Sequence, residues 1–162
     1  EVRYIGTKGI ESSGIEFDLA GELLPGLQTS IGFTSFNIDV DDDIDANVAD
    51  YTPEKLLKLA ATYSVPKVEG LTVGVNVRWQ DDISRSQGFV GEGFTTFGEE
   101  IVTQQSAYTL VGLMARYEFN EQISLAINAY NVTDKKYINS LYWAQGYYGA
   151  PASYSATITF AL

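Results

Sequence analysis

Seven segments of the chain alternate apolar and polar side chains residue by residue, each for roughly 9 to 13 positions, before turn residues interrupt them. Period two is the spacing of an extended strand whose two faces meet different surroundings. The first segment runs from about Ile10 to Glu22, with Ile15, Phe17 and Leu19 opposite Glu16, Asp18 and Ala20. Leu27 to Asp39 follows, with Leu27, Ile31 and Phe33 on its apolar face. Leu56 to Val65 sets Leu57, Leu59, Ala61 and Tyr63 against Lys58, Ala60, Thr62 and Ser64. Leu71 to Gln80 alternates Leu71, Val73, Val75, Val77 and Trp79 with Thr72, Gly74, Asn76, Arg78 and Gln80. Three more runs complete the set: Val111 to Phe119, Ile123 to Tyr130 and Ser153 to Leu162.

These runs are longer than the five or six residues usual in soluble sheets, and match the 9 to 11 that a tilted strand needs to cross a bilayer. Their connections alternate between tight and long. Leu23 to Gly26, Pro66 to Gly70 and Asn120 to Gln122 are tight, whereas Asp39 to Pro53, Asp82 to Gln105 and Val132 to Pro151 are long. In an antiparallel meander successive connections fall at opposite ends, so one end carries all the tight turns and the other all the long loops. Outer-membrane barrels have that asymmetry, although a soluble sandwich or small barrel can share it. Tyr63, Tyr117 and Phe119 lie on the apolar face near tight turns and Trp79 lies beside a long loop. Two interfacial aromatic belts would place them so, and so would ordinary strand ends.

Seven strands cannot stand alone in lipid, because an open sheet has two edges of unpaired backbone groups, each costing several kcal/mol there. At about 4.8 Å between strands and roughly 40° of tilt they supply about 44 Å of circumference, some third of a 22-stranded barrel. The fold expected is therefore all-β: an antiparallel meander of about seven long strands, the C-terminal part of a 22-stranded transmembrane β-barrel. The last run ends with the chain on the tight-turn side, as the final strand of a bacterial barrel does.

Composition narrows the chemistry. The absence of His and Cys removes Ser-His-Asp triads, thiol nucleophiles, the usual zinc sites and disulfides. A formal charge of -11 repels nucleic-acid phosphates, so DNA and RNA are not expected partners. An outer-membrane enzyme would need a carboxylate or Ser-Lys mechanism, and no paired arrangement stands out.

The segment Tyr130-Asn131-Val132-Thr133-Asp134-Lys135-Lys136-Tyr137, then Gly149-Ala150-Pro151 and an alternating last strand, resembles the C-terminal part of TonB-dependent siderophore receptors. Upstream, Ser13-Gly14-Ile15-Glu16-Phe17, Pro25-Gly26-Leu27, Tyr51-Thr52-Pro53 and Gly70-Leu71-Thr72-Val73-Gly74 are similar to earlier elements of that family in the same order. The likeness covers nearly all of residues 1–162. Ferric hydroxamate-type receptors are the nearest likeness, through Tyr142-Trp143-Ala144-Gln145-Gly146-Tyr147-Tyr148-Gly149. Two positions depart from the family: Ala152 follows Gly-Ala-Pro where Arg is common, and Leu162 ends the chain where an aromatic residue is usual. Nothing in the chain resembles the N-terminal plug domain or the TonB-contacting segment.

The resemblance implies a Gram-negative outer-membrane receptor that takes up a ferric siderophore, which itself supplies the iron ligands, so no protein-bound cofactor or metal is expected. Its partners would be the siderophore, the rest of the barrel with its plug, TonB through the missing N-terminal part, and outer-membrane lipid and lipopolysaccharide. By that likeness Tyr142, Trp143, Gln145, Tyr147 and Tyr148 line the external vestibule, where rings pack on an organic chelate and phenols or amides bond its carbonyls. The other reading is an aromatic cluster that packs the loop onto the barrel rim. The loop Asp39 to Asp45 with Asp50 has EF-hand-like spacing, but Ile44 stands where Gly is needed and Asp50 replaces Glu, so a solvated acidic loop is expected. The Gly- and Phe-rich stretch Asp82 to Gln105 is expected as a long surface loop, either a mobile vestibule cover or simply flexible. Arg78, Arg116, Asn76 and Asn128 lie on the polar face, where plug docking is the expected role. Outside the family, a self-contained β-structural or adhesive module closed by oligomerisation also fits the strand pattern.

Overall fold

A computed structural model describes residues 9–40, 52–141 and 146–161. Among them are eleven strands and no helix: β1 (Ile10–Leu24), β2 (Leu27–Val40), β3 (Lys55–Ser64), β4 (Leu71–Gln80), β5 (Ile83–Phe89), β6 (Glu100–Gln105), β7 (Tyr108–Glu118), β8 (Ile123–Tyr130), β9 (Ile138–Ser140), β10 (Tyr147–Tyr148) and β11 (Ser153–Phe160). Seven form one antiparallel sheet in the order β1-β2-β3-β4-β7-β8-β11. These are the seven runs expected from alternation, with two matched end to end, Leu71–Gln80 and Ile123–Tyr130. The fifth begins three residues earlier than its alternation, because the β4 ladder continues through Arg78↔Leu110 to Gln80↔Tyr108.

The register keeps the faces separate across the sheet. Leu19, Ile31, Leu59, Val77 and Val111 follow one another on one face, as do Tyr63, Val73, Ala115, Ile127 and Ala156. The opposite face carries Glu22, Gln28, Thr62, Gly74, Met114, Asn128 and Ser155 in a row, and Asp18, Gly32, Lys58 and Arg78 in another. The apolar face is not a core. Ile15, Phe17 and Ile158 are 70%, 55% and 60% exposed, and the buried apolar side chains among the described residues are Ile83, Tyr108 and Leu141, none of them on that face. An apolar surface this continuous needs a cover other than the sheet itself. Ten-residue strands such as β3 and β4, tilted about 40°, rise about 26 Å, close to the apolar band of an outer-membrane barrel.

The tight turns have local causes. Gly26 adopts φ 80°, a conformation that costs glycine nothing, and its N–H donates to Glu22 Oε1 at 2.7 Å. Asn120 Oδ1 accepts from the N–H groups of Gln122 and Ile123 at 2.9 and 2.8 Å, an Asx turn that starts β8. Beside that turn Tyr117 and Phe119 meet edge to face, with ring centroids 4.9 Å apart.

The long connections differ from the loops expected. The stretch Asp82 to Gln105 contains the β5–β6 hairpin, and a shorter β9–β10 pair lies between β8 and β11. Neither keeps up an apolar–polar alternation along its length, so the period-two signal does not mark them. The β5–β6 ladder shifts register between Ser86 and Phe89, and Gly88, Gly93 and Gly98 take positive φ around the hairpin end. Phe89, Phe94 and Phe97 are exposed there.

Arginine in place of Ile31, on the apolar face of β2, is expected to lower the stability of the bilayer-folded protein by about 2–4 kcal/mol. At the neighbouring Ser30, on the polar face, the same change should cost less than about 0.5 kcal/mol. Urea midpoints of the full-length protein in lipid vesicles measure both, and equal losses would mean that the apolar face does not meet hydrocarbon.

Candidate functional site

The long-loop end of β8 and β11 is built around Asn131. Its backbone has φ 48°, tolerated by asparagine better than by most residues, and its side chain is buried. Asn131 Nδ2 donates to Lys135 O at 3.0 Å and Ala150 O at 3.1 Å, while Oδ1 accepts from Lys135 N–H at 2.9 Å. Asp134, also at positive φ (47°), accepts from Ala152 N–H at 2.9 Å through Oδ1. Gly149 N–H donates to Tyr137 O at 2.9 Å, and a Cβ on Gly149 would fall inside the Tyr137 ring. The two segments that carry the family resemblance, Tyr130–Tyr137 and Gly149–Pro151, are thus bonded to each other. Their composition answers a backbone requirement and does not in itself imply a ligand.

This bonded turn is tied in turn to the β5–β6 hairpin. Arg85 Nη1 donates to Leu141 O at 2.9 Å, and Ile138 N–H donates to Gln105 Oε1 at 2.7 Å. The Tyr108 and Tyr137 rings pack with centroids 4.5 Å apart and their planes tilted by 31°. Ile83, Tyr108 and Leu141 are buried together with Gln80, whose Oε1 accepts from Arg78 Nη2 at 3.2 Å. Gln80 and Tyr108 are ladder partners on the polar face, so the contact with Tyr137 brings the second insert over that face at the long-loop end. The Tyr108 phenol oxygen is buried without a hydrogen-bond partner among the described residues.

The structure divides the sequence-predicted ligand residues. Tyr142, Trp143 and Gln145 lie outside the described residues. Tyr147 and Tyr148 form β10, opposite Ser140 and Ile138, and are 56% and 65% exposed. Lys136 Nζ stands 4.5 Å from the Tyr148 ring centroid, a cation–π contact. In the acidic loop Asp39 belongs to β2, opposite Glu11, and Asp41, Asp43, Asp45 and Asp50 lie outside the described residues. Arg78, Arg116, Asn76 and Asn128 all occupy polar-face register positions, and Arg116 pairs with Glu118 at 3.0 Å. Sequence reasoning missed Arg85, Gln105, Tyr108 and Tyr137 as supports of the site. Tyr137 stood within the quoted motif, while Arg85 and Gln105 lie 56 and 33 residues from their partners and carry no local signal.

Asn131→Gly retains the positive φ and removes only the side-chain bonds. Amide exchange at Lys135 is expected to accelerate by on the order of 10- to 100-fold. Arg85→Ala should loosen 138–141 without disturbing β4 or β7. Hydrogen-exchange mass spectrometry of the full-length protein reads both effects, and unchanged protection would remove the tie between the inserts.

A family model described as "TonB dependent receptor-like, beta-barrel" matches residues 2–132. The chain is similar to the ferripyoverdine receptor of Pseudomonas aeruginosa, with 33% identity over 150 residues, 91% of this chain and 17% of that protein. It is 29% identical over 154 residues to the ferric-pyoverdine 358 receptor of Pseudomonas putida, covering 94% of this chain and 17% of that one. The chain therefore spans about one sixth of the length of these relatives. The solved pyoverdine outer membrane receptor FpvA of P. aeruginosa PAO1, bound to pyoverdine, superposes with a TM-score of 0.81 at 28% identity, over 94% of this chain and 22% of that one. Four-fifths of the chain matched to the barrel profile, and one meander shared with a solved receptor, establish the family: the chain belongs to the TonB-dependent receptors, within their β-barrel.

Proposed function

We propose that residues 1–162 are the C-terminal portion of the barrel of a Gram-negative outer-membrane receptor that imports a ferric siderophore by TonB-dependent uptake. The observation that carries this reading is an apolar sheet face that no other part of the described residues covers. Its apolar face is exposed, its polar face carries Lys58, Arg78, Asn76 and Asn128, and its buried side chains gather at the long-loop end. A wall between hydrocarbon and an aqueous lumen needs that distribution, whereas a soluble module needs the reverse.

The chelate binds in the external vestibule, and Tyr142, Trp143, Gln145, Tyr147 and Tyr148 offer rings and hydrogen-bonding groups to its organic shell. Exposure of Tyr147 and Tyr148 at the long-loop end supports their part in this. The siderophore holds the iron. Hydroxamate is the chelating group favoured by the loop resemblance, and pyoverdine is the ligand named for the similar receptors. A plug domain, contributed by sequence outside this chain, meets the polar face near Arg78, Arg116, Asn76 and Asn128 and moves when TonB delivers energy from the inner membrane. The wall stays in place while the plug moves. No covalent step is asked of these residues, which makes the chain part of a receptor and not of an enzyme.

In the full-length receptor, removal of residues 142–148 is expected to weaken ferric pyoverdine binding by more than about tenfold, and Tyr147→Ala with Tyr148→Ala by about three- to tenfold. Unchanged affinity in a correctly inserted variant would sink the site assignment. An immunoblot of outer membranes with antibody to this segment should show a band several times 17.8 kDa that rises on iron starvation. A band near 17.8 kDa, indifferent to iron, would favour the self-contained module.

A further inference from the structure

We propose that Lys135, Lys136 and Tyr148 form a subsite for an anionic oxygen group, a carboxylate or its equivalent, carried on the organic shell of the ferric chelate. The inference rests on the uptake reading above and adds the charge of the ligand to it. Asp134, Lys135, Lys136, Tyr148, Gly149 and Pro151 line a cavity of about 300 Å³ beside the Asn131 turn. That volume lies at the lower end of small-molecule sites, enough for one substituent of a larger chelate.

The charges around it are distributed unevenly. The chain carries a net -11, and after Lys67 its only lysines are Lys135 and Lys136. Of the other cations towards that end, Lys55 pairs with Asp81 at 3.5 Å, Arg85 bonds Leu141 O and Arg78 bonds Gln80, while Lys58, the ladder partner of Arg78, lines no part of this cavity. Lys135 and Lys136 have no carboxylate within ion-pair distance among the described residues. Lys136 is held instead against the Tyr148 ring, which attracts the ammonium without neutralising it. Asp134, the acidic member of the wall, has one oxygen engaged by Ala152 N–H.

The backbone beneath the two lysines is fixed. Lys135 is bonded through both its N–H and its carbonyl to Asn131, and the next turn is closed by Gly149 on Tyr137. Two lysines on a pinned turn, both lining a small cavity with an aromatic wall, can accept an anionic oxygen with little reorganisation of the backbone. On a chain otherwise acidic, such a site raises the local concentration of an anionic chelate where the global charge opposes it.

The test uses full-length receptor, ferric pyoverdine as the chelate, and lysine acylation read by mass spectrometry, with Lys67 in the β3–β4 turn at the opposite end as internal control. Ferric pyoverdine is expected to protect Lys135 and Lys136 and leave Lys67 reactive. Lys135→Gln with Lys136→Gln should weaken binding about tenfold and flatten its salt dependence, and arginine at both positions should restore it. Inorganic phosphate and lipopolysaccharide are run as separate arms. Protection by either of these, with none from bound ferric pyoverdine, would assign the cavity to a lipid or free phosphate and overturn the proposal. Retained chelate binding with both lysines reactive also overturns it and leaves the uptake reading intact. Failure of the wild-type receptor to bind ferric pyoverdine counts against both.

Discussion

The structure depends on the pairing of backbone N–H and C=O groups between strands. Within the seven-stranded sheet every internal strand is bonded on both sides, from Ile10↔Val40 at one edge to Phe160↔Ile123 at the other. The outer rows of β1 and β11 have no strand beside them among the described residues. In water such rows are templates for association, and in hydrocarbon they are prohibitive. Closure into a larger barrel resolves both difficulties, which is why a chain spanning 17% of its relatives has so few buried side chains of its own. Its stability belongs to the whole circumference.

Much of this was legible in the amino-acid order, for a physical reason. Where a strand divides two media its side chains alternate, and the ladders of β4 and β8 fall where Leu71–Gln80 and Ile123–Tyr130 alternate. The β5–β6 and β9–β10 pairs carry no such alternation, so the amino-acid order marks them only as long connections. The Asn131 turn was visible as a resemblance, but its role was not: that Asn131 binds Lys135 and Ala150 follows only when residues 19 apart are brought together. The candidate ligand residues were the least legible part. Exposed aromatics serve packing and recognition alike, and three of the five, Tyr142, Trp143 and Gln145, lie outside the described residues.

The two ends of the sheet solve different problems. The tight-turn end is settled by single residues acting locally, Gly26 by its conformation and Asn120 by its side chain. At the long-loop end, bonds that span tens of residues join two inserts into one assembly around Tyr108 and Tyr137. This assembly keeps its shape with only a small buried cluster, because polar bonds to backbone carbonyls and amides fix positions that burial alone would leave free.

The Arg85–Leu141 and Gln105–Ile138 bonds also bear on how such a surface changes over generations. Surface loops usually diversify one at a time, each accepting insertions without reference to the others. Here the side chains come from one insert and the backbone acceptor and donor from the other. A lengthened or shortened insert would carry its partner out of reach, so a change of length in one insert has to be matched in the other for both bonds to survive.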